Sequence, residues 1–516
     1  MNLRFYLFTI ILFQISSLVF SSEIVIEPSG TDNDTELIQN ALDGIHDGDT
    51  LQLNGGFVLK NTIYLPSNFT WILKGSVTLA GDADLDEAGW VDSEIDATRR
   101  TAITEKTGGA TNIDMSGGTY YGNSANYTKS MRYLNFVSVT NSKFHDMLIT
   151  EVTDDNFTLG PGCNNNECNK LVGSFSESGN AMTDKGDHNT WIDCVASDCG
   201  SDGWTPKCRY STFIRCIAAN NDGPGFGMYA REEGYANNKD VGAHIIGNKF
   251  FDCVSYGSAH SSGFSFNISA NCPAAIIKDN YIQAVCYNNQ SSGVYFRNKD
   301  DAELGIIKDN EVDIVCYGNK GLNKSGDNNS WAGGLGMEND NSSSHNIIEN
   351  ITGSVVCYDN RIDVNIRGGH NCNITVYHPE AEANPVLVDK SSYNNTVTVI
   401  DFNCSDSLGE WCQQKYCQDI YVSTNLIQSP TLNSHIHIYP NPIDSNANIK
   451  YTVPNTGFIS LKIYDLTGKE LISLVNEKKQ KGLYQTEFYR KDLASGTYLC
   501  RIHAGAHKET KKIIFK

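Results

Sequence analysis

Five short stretches of the sequence share one layout and carry five different polar side chains near their ends. Each begins with a glycine-containing turn and continues with apolar residues at alternate positions, the pattern of a strand with one buried face. The stretches are SDGWTPK (201–207), GPGFGMY (223–229), SSGFSFN (261–267), SSGVYFR (291–297) and GGLGMEN (333–339). The fourth residue after the glycine that precedes each strand carries in turn an amine, a phenol, an amide, a guanidinium and a carboxylate: Lys207, Tyr229, Asn267, Arg297 and Glu338.

The alternation predicts where these side chains point. Successive side chains of a strand face opposite sides, so apolar residues such as Phe226 and Met228 should fill an interior while the others face solvent in two columns. Parallel strands lie about 4.8 Å apart, and the column of these fourth residues would form a ladder able to follow an extended polymer. The alternative is a solvated face with arbitrary polar residues. We predict these substrate-binding residues on or beside the ladder: Arg209, Asn267, Tyr295, Arg297 and Glu338.

Residues in the neighbouring loops extend the candidate site. TDKGDH (183–188) supplies His188 from the preceding coil, and the loop after Tyr229 supplies Arg231. We expect both to converge with Lys207 and Tyr229 as catalytic groups, because general acid–base chemistry needs such groups within reach of one substrate. The like charges of Arg209 and Arg231 would favour a neutral amine at Lys207. A lone His is otherwise an ordinary loop residue.

The elements that must position these residues repeat along the chain. From about 131 to 400, short β-branched and aromatic runs alternate with turns rich in Asn, Gly, Asp and Ser, at periods of roughly 22–41 residues, which is typical of a solenoid. The runs contain no long helical pattern, so we predict an all-β fold, a right-handed parallel β-helix. Asparagines at its corners should form stacked ladders, and a helix at about 34–43 should cap the first coil.

Eleven of the sixteen cysteines fall into two groups. Cysteines that recur within the apolar runs fit a ladder of small buried residues: Cys194, Cys216, Cys253, Cys286, Cys316 and Cys357. Those in polar loops are better candidates for disulfides: Cys163, Cys168, Cys404, Cys412 and Cys417.

Charge and the chain ends limit the possible partners. The formal net charge of −20 argues against nucleic acid, which requires a basic surface. Residues 1–22 read as a secretory signal peptide, and no later segment is long and apolar enough to span a bilayer. We predict a β-helix catalytic domain over 23–430 and a small β-sandwich over 431–516, in a monomer that is secreted or attached to the cell surface.

Two resemblances refine this prediction. The stretch ELIQNALDGIHDGDTLQL and the coils that follow, roughly 24–400, resemble the pectate-lyase-like β-helix superfamily. The C-terminal region resembles the sorting domain of the type IX secretion system of Bacteroidetes. The matching residues in the tail are Tyr439-Pro440-Asn441-Pro442, Asp465-Leu466-Thr467-Gly468, Gly496-Thr497-Tyr498 and the basic end at Lys511, Lys512 and Lys516. The second resemblance implies that the secretion machinery is a partner.

The first resemblance implies a polysaccharide lyase that acts on an anionic polymer such as alginate, ulvan or pectate. ASDCGSDGWTPK and AANNDGPGFGMY resemble the calcium-binding coils of family 9 pectate lyases, which makes Asp202 and Asp222 candidate calcium ligands. That family carries its catalytic Lys about two coils later, where this chain has Ser265, so Lys207 becomes the candidate base. The alternatives are a β-helix glycoside hydrolase with paired carboxylates, a non-catalytic glycan-binding protein, and an epimerase.

Overall fold

The structure is a computed structural model of the 516-residue chain. It describes residues 21–88, 100–230, 244–268, 275–298, 305–322, 333–339, 346–379 and 386–402, and in the C-terminal region 436–439, 446–453, 457–465, 469–479, 482–490, 493–494, 496–504 and 507–515. The predicted signal peptide, the loop cysteines after 402 and the predicted domain boundary at 430/431 therefore lie almost entirely outside the described residues. No helix within the described ranges has the length and apolar character to cross a membrane.

A short helix closes the first coil, as predicted. It spans Thr35–Asp43 and packs Ile38 and Leu42 onto the core of the first coil. Asp34 ties the helix start to the first strands, because its Oδ2 accepts a hydrogen bond from the Val58 backbone N–H at 2.9 Å. The helix thus covers apolar surface that the end of a solenoid would otherwise expose.

The coils that follow build three main parallel sheets, and the predicted all-β parallel β-helix is confirmed. The 19-stranded sheet contains Glu23–Ile26, Thr50–Leu59, Phe69–Leu79, Ile113–Ser116, Thr119–Tyr121, Lys143–His145, Leu148–Val152, Glu167–Asn169, Val172–Ser176, Thr190–Ile192, Val195–Ser197, Thr212–Ile214, Ile217–Ala219, Lys249–Tyr256, Tyr281–Tyr287, Glu311–Tyr317, Thr352–Tyr358, Asn373–Pro379 and Thr396–Phe402. The 12-stranded sheet, which holds the glycine-led stretches, contains Ile63–Leu65, Arg100–Glu105, Met131–Phe136, Phe157–Leu159, Met182–Asp184, Trp204–Pro206, Phe226–Ala230, Phe264–Ile268, Val294–Asn298, Leu335–Asn339, Val364–Arg367 and Val386–Val388.

The smaller sheets complete the coils. A 5-stranded sheet contains His244–Ile246, Ile276–Lys278, Ile306–Lys308, Ile347–Glu349 and Gly369–His370, and a 2-stranded sheet pairs Ala110–Thr111 with Val139–Thr140. Isolated parallel bridges continue the line of the 5-stranded sheet through earlier coils, from Asn164 to Asp187, Arg209 and Ile246.

The bore is filled by the alternating apolar residues, as predicted. Phe226 stacks on Phe264 with ring centroids 4.3 Å apart, and Phe213 stacks on Phe250 at 4.7 Å. All four side chains are fully buried. In-register aromatic pairs of this kind add about 0.5–1.5 kcal/mol each beyond their buried area, so they fix the alignment of successive coils.

Asparagine ladders hold the corners, which confirms another prediction. Asn280 Nδ2 donates to Asn310 Oδ1 at 2.9 Å, and Asn248 Nδ2 donates to Asn280 Oδ1 at 3.1 Å. A second ladder links Asn289 to Asn319 at 3.0 Å. Each such bond contributes about 1 kcal/mol net, and each satisfies an amide that the bend would otherwise bury unpaired.

The cysteines form two ladders instead of one. Cys286, Cys316 and Cys357 are in register on consecutive strands of the 19-stranded sheet. Cys194 and Cys216 lie between two strands, and Cys253 lies at an irregularity within the strand Lys249–Tyr256. Each of these three thiols donates to a carbonyl of the preceding coil. The expected disulfide at Cys163 and Cys168 is wrong, because both are fully buried free thiols that pack into the core.

The C-terminal region forms two antiparallel sheets, and the predicted small β-sandwich is confirmed. One sheet contains Ile436–Tyr439, Asn446–Val453 and Gly482–Tyr489, and the other contains Gly457–Tyr464, Glu470–Lys479, Gly496–Ala504 and His507–Phe515. Its apolar core is separate from that of the β-helix and includes Ile449, Leu461 and Ile502.

Candidate functional site

The two outward columns of the 12-stranded sheet lie where the alternation predicts. The first column runs through Gly227, Ser265, Tyr295, Gly336 and Asn365, each paired with the next. The second column runs in register through Tyr229, Asn267, Arg297, Glu338 and Arg367. The glycine-led stretches therefore do present their variable ends along one face.

The expectation that this face is open to solvent is wrong for much of its length. Ser265 is 2% exposed, Tyr295 7% and Glu338 5%, although all three point away from the bore. Their polar atoms bond to other side chains of the face: Ser265 Oγ accepts from Asn267 Nδ2 at 2.8 Å, and the Tyr295 hydroxyl donates to Glu338. Burial makes each of these hydrogen bonds stronger and each unpaired polar atom more costly than it would be in water.

A first group of side chains surrounds Gly227. A Cβ atom at this position would collide with Asp202 Oδ2 and with the ring of Tyr229, so the missing side chain creates the space in which the carboxylate and the phenol meet. Thr205 Oγ1 donates to Asp202 Oδ2 at 3.4 Å. Gly227 is therefore needed for its small volume, and a carboxylate and a phenol share one location on the face.

Lys207 completes this group, which we call the Gly227 group: Asp202, Thr205, Lys207, Gly227 and Tyr229. The strand Trp204–Pro206 pairs with Phe226–Ala230 through Trp204 and Phe226. Lys207 and Tyr229 each lie three residues beyond that pair, so they are neighbours in the second column. Lys207 is 4% exposed, and its backbone N–H donates to the Asp184 carbonyl at 2.7 Å. The carboxylate and the phenol thus meet at Gly227, and the register assigns the amine of Lys207 to the neighbouring position.

Three predicted members of the site lie elsewhere or outside the described residues. Arg209 belongs to the bridge line that continues the 5-stranded sheet, and its guanidinium forms an ion pair with Asp187 at 2.6 Å. His188 lies in the same turn and stacks on the ring of Tyr210, with centroids 5.2 Å apart. Arg209 therefore belongs to a bridge line outside the 12-stranded sheet, His188 lies next to that line, and their convergence with Lys207 stays a prediction. Arg231 lies outside the described residues.

The two candidate calcium ligands differ in their surroundings. Asp202 lies two residues before its strand and accepts from Thr205, whereas Asp222 lies four residues before its strand and pairs with His260 Nε2 at 3.2 Å. Calcium needs roughly six to eight oxygen ligands. Within the part of the chain that the structure describes, no cluster of three or more His, Cys, Asp or Glu side chains could hold a metal ion. Calcium binding stays a prediction.

The second group surrounds Glu338 and brings together the predicted substrate-binding residues Tyr295, Arg297 and Glu338. The Glu338 carboxylate accepts a hydrogen bond from the Tyr295 hydroxyl. It lies 3.2 Å from Arg297 Nε on one neighbouring strand and 3.2 Å from Arg367 Nη1 on the other. Burial and this carboxylate hold the pKa of Tyr295 well above its usual value, so the phenol remains protonated and donates. Asn267, the fourth predicted residue, precedes Arg297 in the same column.

Sequence reasoning missed a further carboxylate on this face. Asp155, Asn180 and Asp202 each lie two residues before a strand, on three successive coils. Asn180 N–H donates to Asp155 Oδ1 at 2.8 Å, and Asp202 N–H donates to Asn180 Oδ1 at 3.1 Å. Arg132 Nε lies 3.2 Å from Asp155 Oδ2, and both residues are almost fully buried. The signal was present in TDDNFTL, whose Asp precedes its aromatic residue as in SDGWTPK, but the glycine is absent.

A comparison with known families explains the C-terminal region. A family model described as a secretion system C-terminal sorting domain matches residues 437–516. The sandwich is a sorting domain of the type IX secretion system. The protein is therefore secreted or attached to the cell surface, as predicted. This finding covers the sandwich alone and leaves the chemistry of the β-helix open.

Other comparisons concern the whole chain. No curated protein sequence matches it. Similar solved structures include the A-module of mannuronan C-5 epimerase AlgE6 of Azotobacter vinelandii, at 14% identity and a TM-score of 0.45, covering 72% of this chain and 96% of that one. The polygalacturonase of Erwinia carotovora ssp. carotovora is similar at 12% identity and a TM-score of 0.43, covering 74% and 96%. At these identities neither structure assigns a role to a residue of this chain.

Proposed function

We propose that the β-helix is a secreted polysaccharide lyase that cleaves a uronic-acid-containing polymer by β-elimination. The observation that carries the proposal is that Asp202 and Tyr229 meet at Gly227 on the 12-stranded sheet, with Lys207 assigned to the position beside Tyr229 by strand register. Amine and phenol groups are suitable general bases and acids. The sorting domain supports a place of action outside the cell, where such polymers are found as extended chains.

The elimination divides its steps between neighbouring residues of one column. Lys207, in its deprotonated form, takes the proton from carbon 5 of the uronate, and the electron pair of that C–H bond forms a double bond to carbon 4. The bond from carbon 4 to the glycosidic oxygen breaks, and Tyr229 donates its phenolic proton to the leaving oxygen. The uronate carboxylate needs a positive partner so that the proton on carbon 5 becomes acidic. Arg231 is the predicted partner, and calcium at Asp202 is the predicted alternative.

The test follows the conjugated double bond of the product. The purified full chain is incubated with alginate, poly-galacturonate and ulvan, each with calcium and with a chelator, and ultraviolet absorbance is recorded. A rise on one polymer identifies the substrate, and its loss in the chelator identifies the metal requirement. New reducing ends without the absorbance, or no product on any of the three polymers, would contradict a lyase that acts on them.

The spacing of Asp155 and Asp202 favours a glycoside hydrolase as the second candidate. These residues occupy equivalent positions two coils apart, which places their backbones about 10 Å from each other. Carboxylates roughly 6.5–9.5 Å apart support inverting hydrolysis, one as acid and one as base. In that case Asp155→Asn and Asp202→Asn would each abolish the release of reducing ends, whereas Lys207→Ala would leave it largely intact.

A further inference from the structure

Arg297 presents hydrogen-bond donors that the described protein does not use. Its guanidinium approaches Glu338 Oε2 at 3.2 Å as an ion pair, but Nε is buried and donates no hydrogen bond within the described ranges. The side chain is nevertheless 36% exposed, so part of the planar group faces outward. A guanidinium carries five N–H donors in a fork that matches a carboxylate.

The local charge at Arg297 is opposite to that of the whole protein. Arg297 Nε and Arg367 Nη1 each lie 3.2 Å from the Glu338 carboxylate, so two guanidinium groups flank one buried carboxylate on this part of the face. The side chain of Glu338 is 7% exposed, whereas those of Arg297 and Arg367 are 36% and 29% exposed, so an incoming ligand meets the guanidinium groups first. On a chain with a net charge of −20, this is a place that attracts an anionic sugar.

Asn267 adds an unused acceptor beside these donors. It is in register with Arg297 on the preceding strand, and its Nδ2 donates to Ser265 Oγ at 2.8 Å. Its Oδ1 is buried and has no hydrogen-bond partner among the described residues. A buried unpaired acceptor costs about 1–3 kcal/mol, which a hydroxyl donor from a ligand would recover.

We propose that Arg297 and Asn267 form a uronate subsite next to the reacting position. Arg297 binds the sugar carboxylate, Asn267 accepts a hydrogen bond from a hydroxyl of the same sugar, and Glu338 positions Arg297. The subsite rests on the proposed function for its place in the reaction. Tyr229, Asn267 and Arg297 are consecutive in one column, so Arg297 is about 10 Å along the face from Tyr229. The subsite therefore requires a carboxylate on a sugar neighbouring the one that reacts.

The subsite is tested by calorimetric measurement of oligosaccharide binding to the full chain. Every protein in the experiment carries Lys207→Ala, so that the ligand is bound but not cleaved. The probes are oligogalacturonates, oligoalginates and the same oligogalacturonates with their carboxyl groups reduced to alcohols. Arg297→Ala should weaken binding of one charged oligomer about 10–100-fold, the range of charge-assisted hydrogen bonds, and leave the neutral one unchanged. Arg297→Lys should retain part of that affinity, because it keeps the charge and loses the fork. Asn267→Ala should weaken charged and neutral oligomers alike, by a few-fold.

Arg215→Ala is the matched control. Arg215 is 38% exposed and pairs with Asp193 near the 19-stranded sheet, so its loss should not affect binding. The subsite is overturned if Arg297→Ala weakens charged and neutral oligomers equally, if it weakens neither, or if no charged oligomer binds. If binding follows the expected pattern but the unmutated protein forms no unsaturated product, the subsite is supported and the proposed lyase activity is rejected.

Discussion

The Gly227 group and the group around Glu338 lie on the same face of the same sheet but differ in how their charges are arranged. Around Gly227, a carboxylate and a phenol meet in a space made by a missing side chain, beside a buried lysine. Around Glu338, one carboxylate already holds two arginines and a tyrosine. The first arrangement places groups that can exchange protons next to one another, whereas the second fixes charged groups in position. We infer reaction at the first and recognition at the second.

The largest expected effect is the loss of activity on replacing Lys207, compared with replacing Lys185. Lys207→Ala should lower kcat for elimination about 10²–10⁴-fold, the range for removing a general base, without changing the melting temperature by more than a few degrees. Lys185→Ala is the matched control, because Lys185 is equally buried and lies one strand earlier. Equal losses in both variants, measured as initial rates of unsaturated product, would remove Lys207 from its catalytic role.

The next effect tests whether the space at Gly227 matters. Gly227→Ala adds a methyl group that collides with Asp202 and Tyr229, so kcat/KM should fall about 10²-fold because small displacements of reacting groups are costly. Gly44→Ala is the control, since its Cβ would lie 3.6 Å from the nearest carbonyl oxygens, an ordinary contact. A Gly227→Ala enzyme with unchanged kcat/KM would show that the contact of Asp202 with Tyr229 is incidental.

The third expected effect is a pH dependence of the unfolding free energy, which a carboxylate buried in the bore should produce. Asp184 points inward, where Trp191 Nε1 and Asn189 Nδ2 donate to it at 2.9 Å, and burial raises its pKa to about 6. The folded state therefore holds this proton more tightly than the unfolded state, and stability falls as pH rises from about 4 to 6. Relative to Asp184→Asn, the wild type should lose about 3 kcal/mol of unfolding free energy over that interval. Denaturant titrations at pH 4 and 7 measure this difference, and a constant difference would contradict it.

The smallest expected effect is a difference in unfolding free energy between a variant of the group around Glu338 and a variant of the Gly227 group. Glu338→Gln removes the charge that Arg297 and Arg367 share, and should lower the unfolding free energy by about 2 kcal/mol, the scale of hydrogen bonds to charged groups. Asp202→Asn should lower stability less, by about 1 kcal/mol, the scale of one ordinary hydrogen bond such as the one that Asp202 accepts from Thr205 at 3.4 Å, while it lowers activity. Equal stability losses in the two variants would mean that the two groups do not differ as described.

Much of the scaffold was predictable because period-two alternation fixes which side chains enter the bore. The register Gly227–Ser265–Tyr295 follows from it, and the asparagine ladders follow from the turn residues that recur at the corners. The failures concern features that alternation does not encode. Arg209 lies on a bridge line outside the 12-stranded sheet, and the burial of Tyr295 arises from neighbouring coils that are distant in sequence. Asp155 was missed because its coil lacks the glycine that defined the repeat.

The reactivity of the buried thiols can report local opening along the β-helix. Successive coils carry fully buried free cysteines, from Cys163 to Cys372, and burial raises the pKa of thiols such as Cys168 and Cys216, which makes them unreactive while the coil is closed. In a solenoid each coil contacts mainly its neighbours, so opening proceeds locally from the ends or from weak coils. The rate at which each cysteine is alkylated under native conditions therefore measures the free energy of opening of its own coil. The wild-type chain already contains this series of probes.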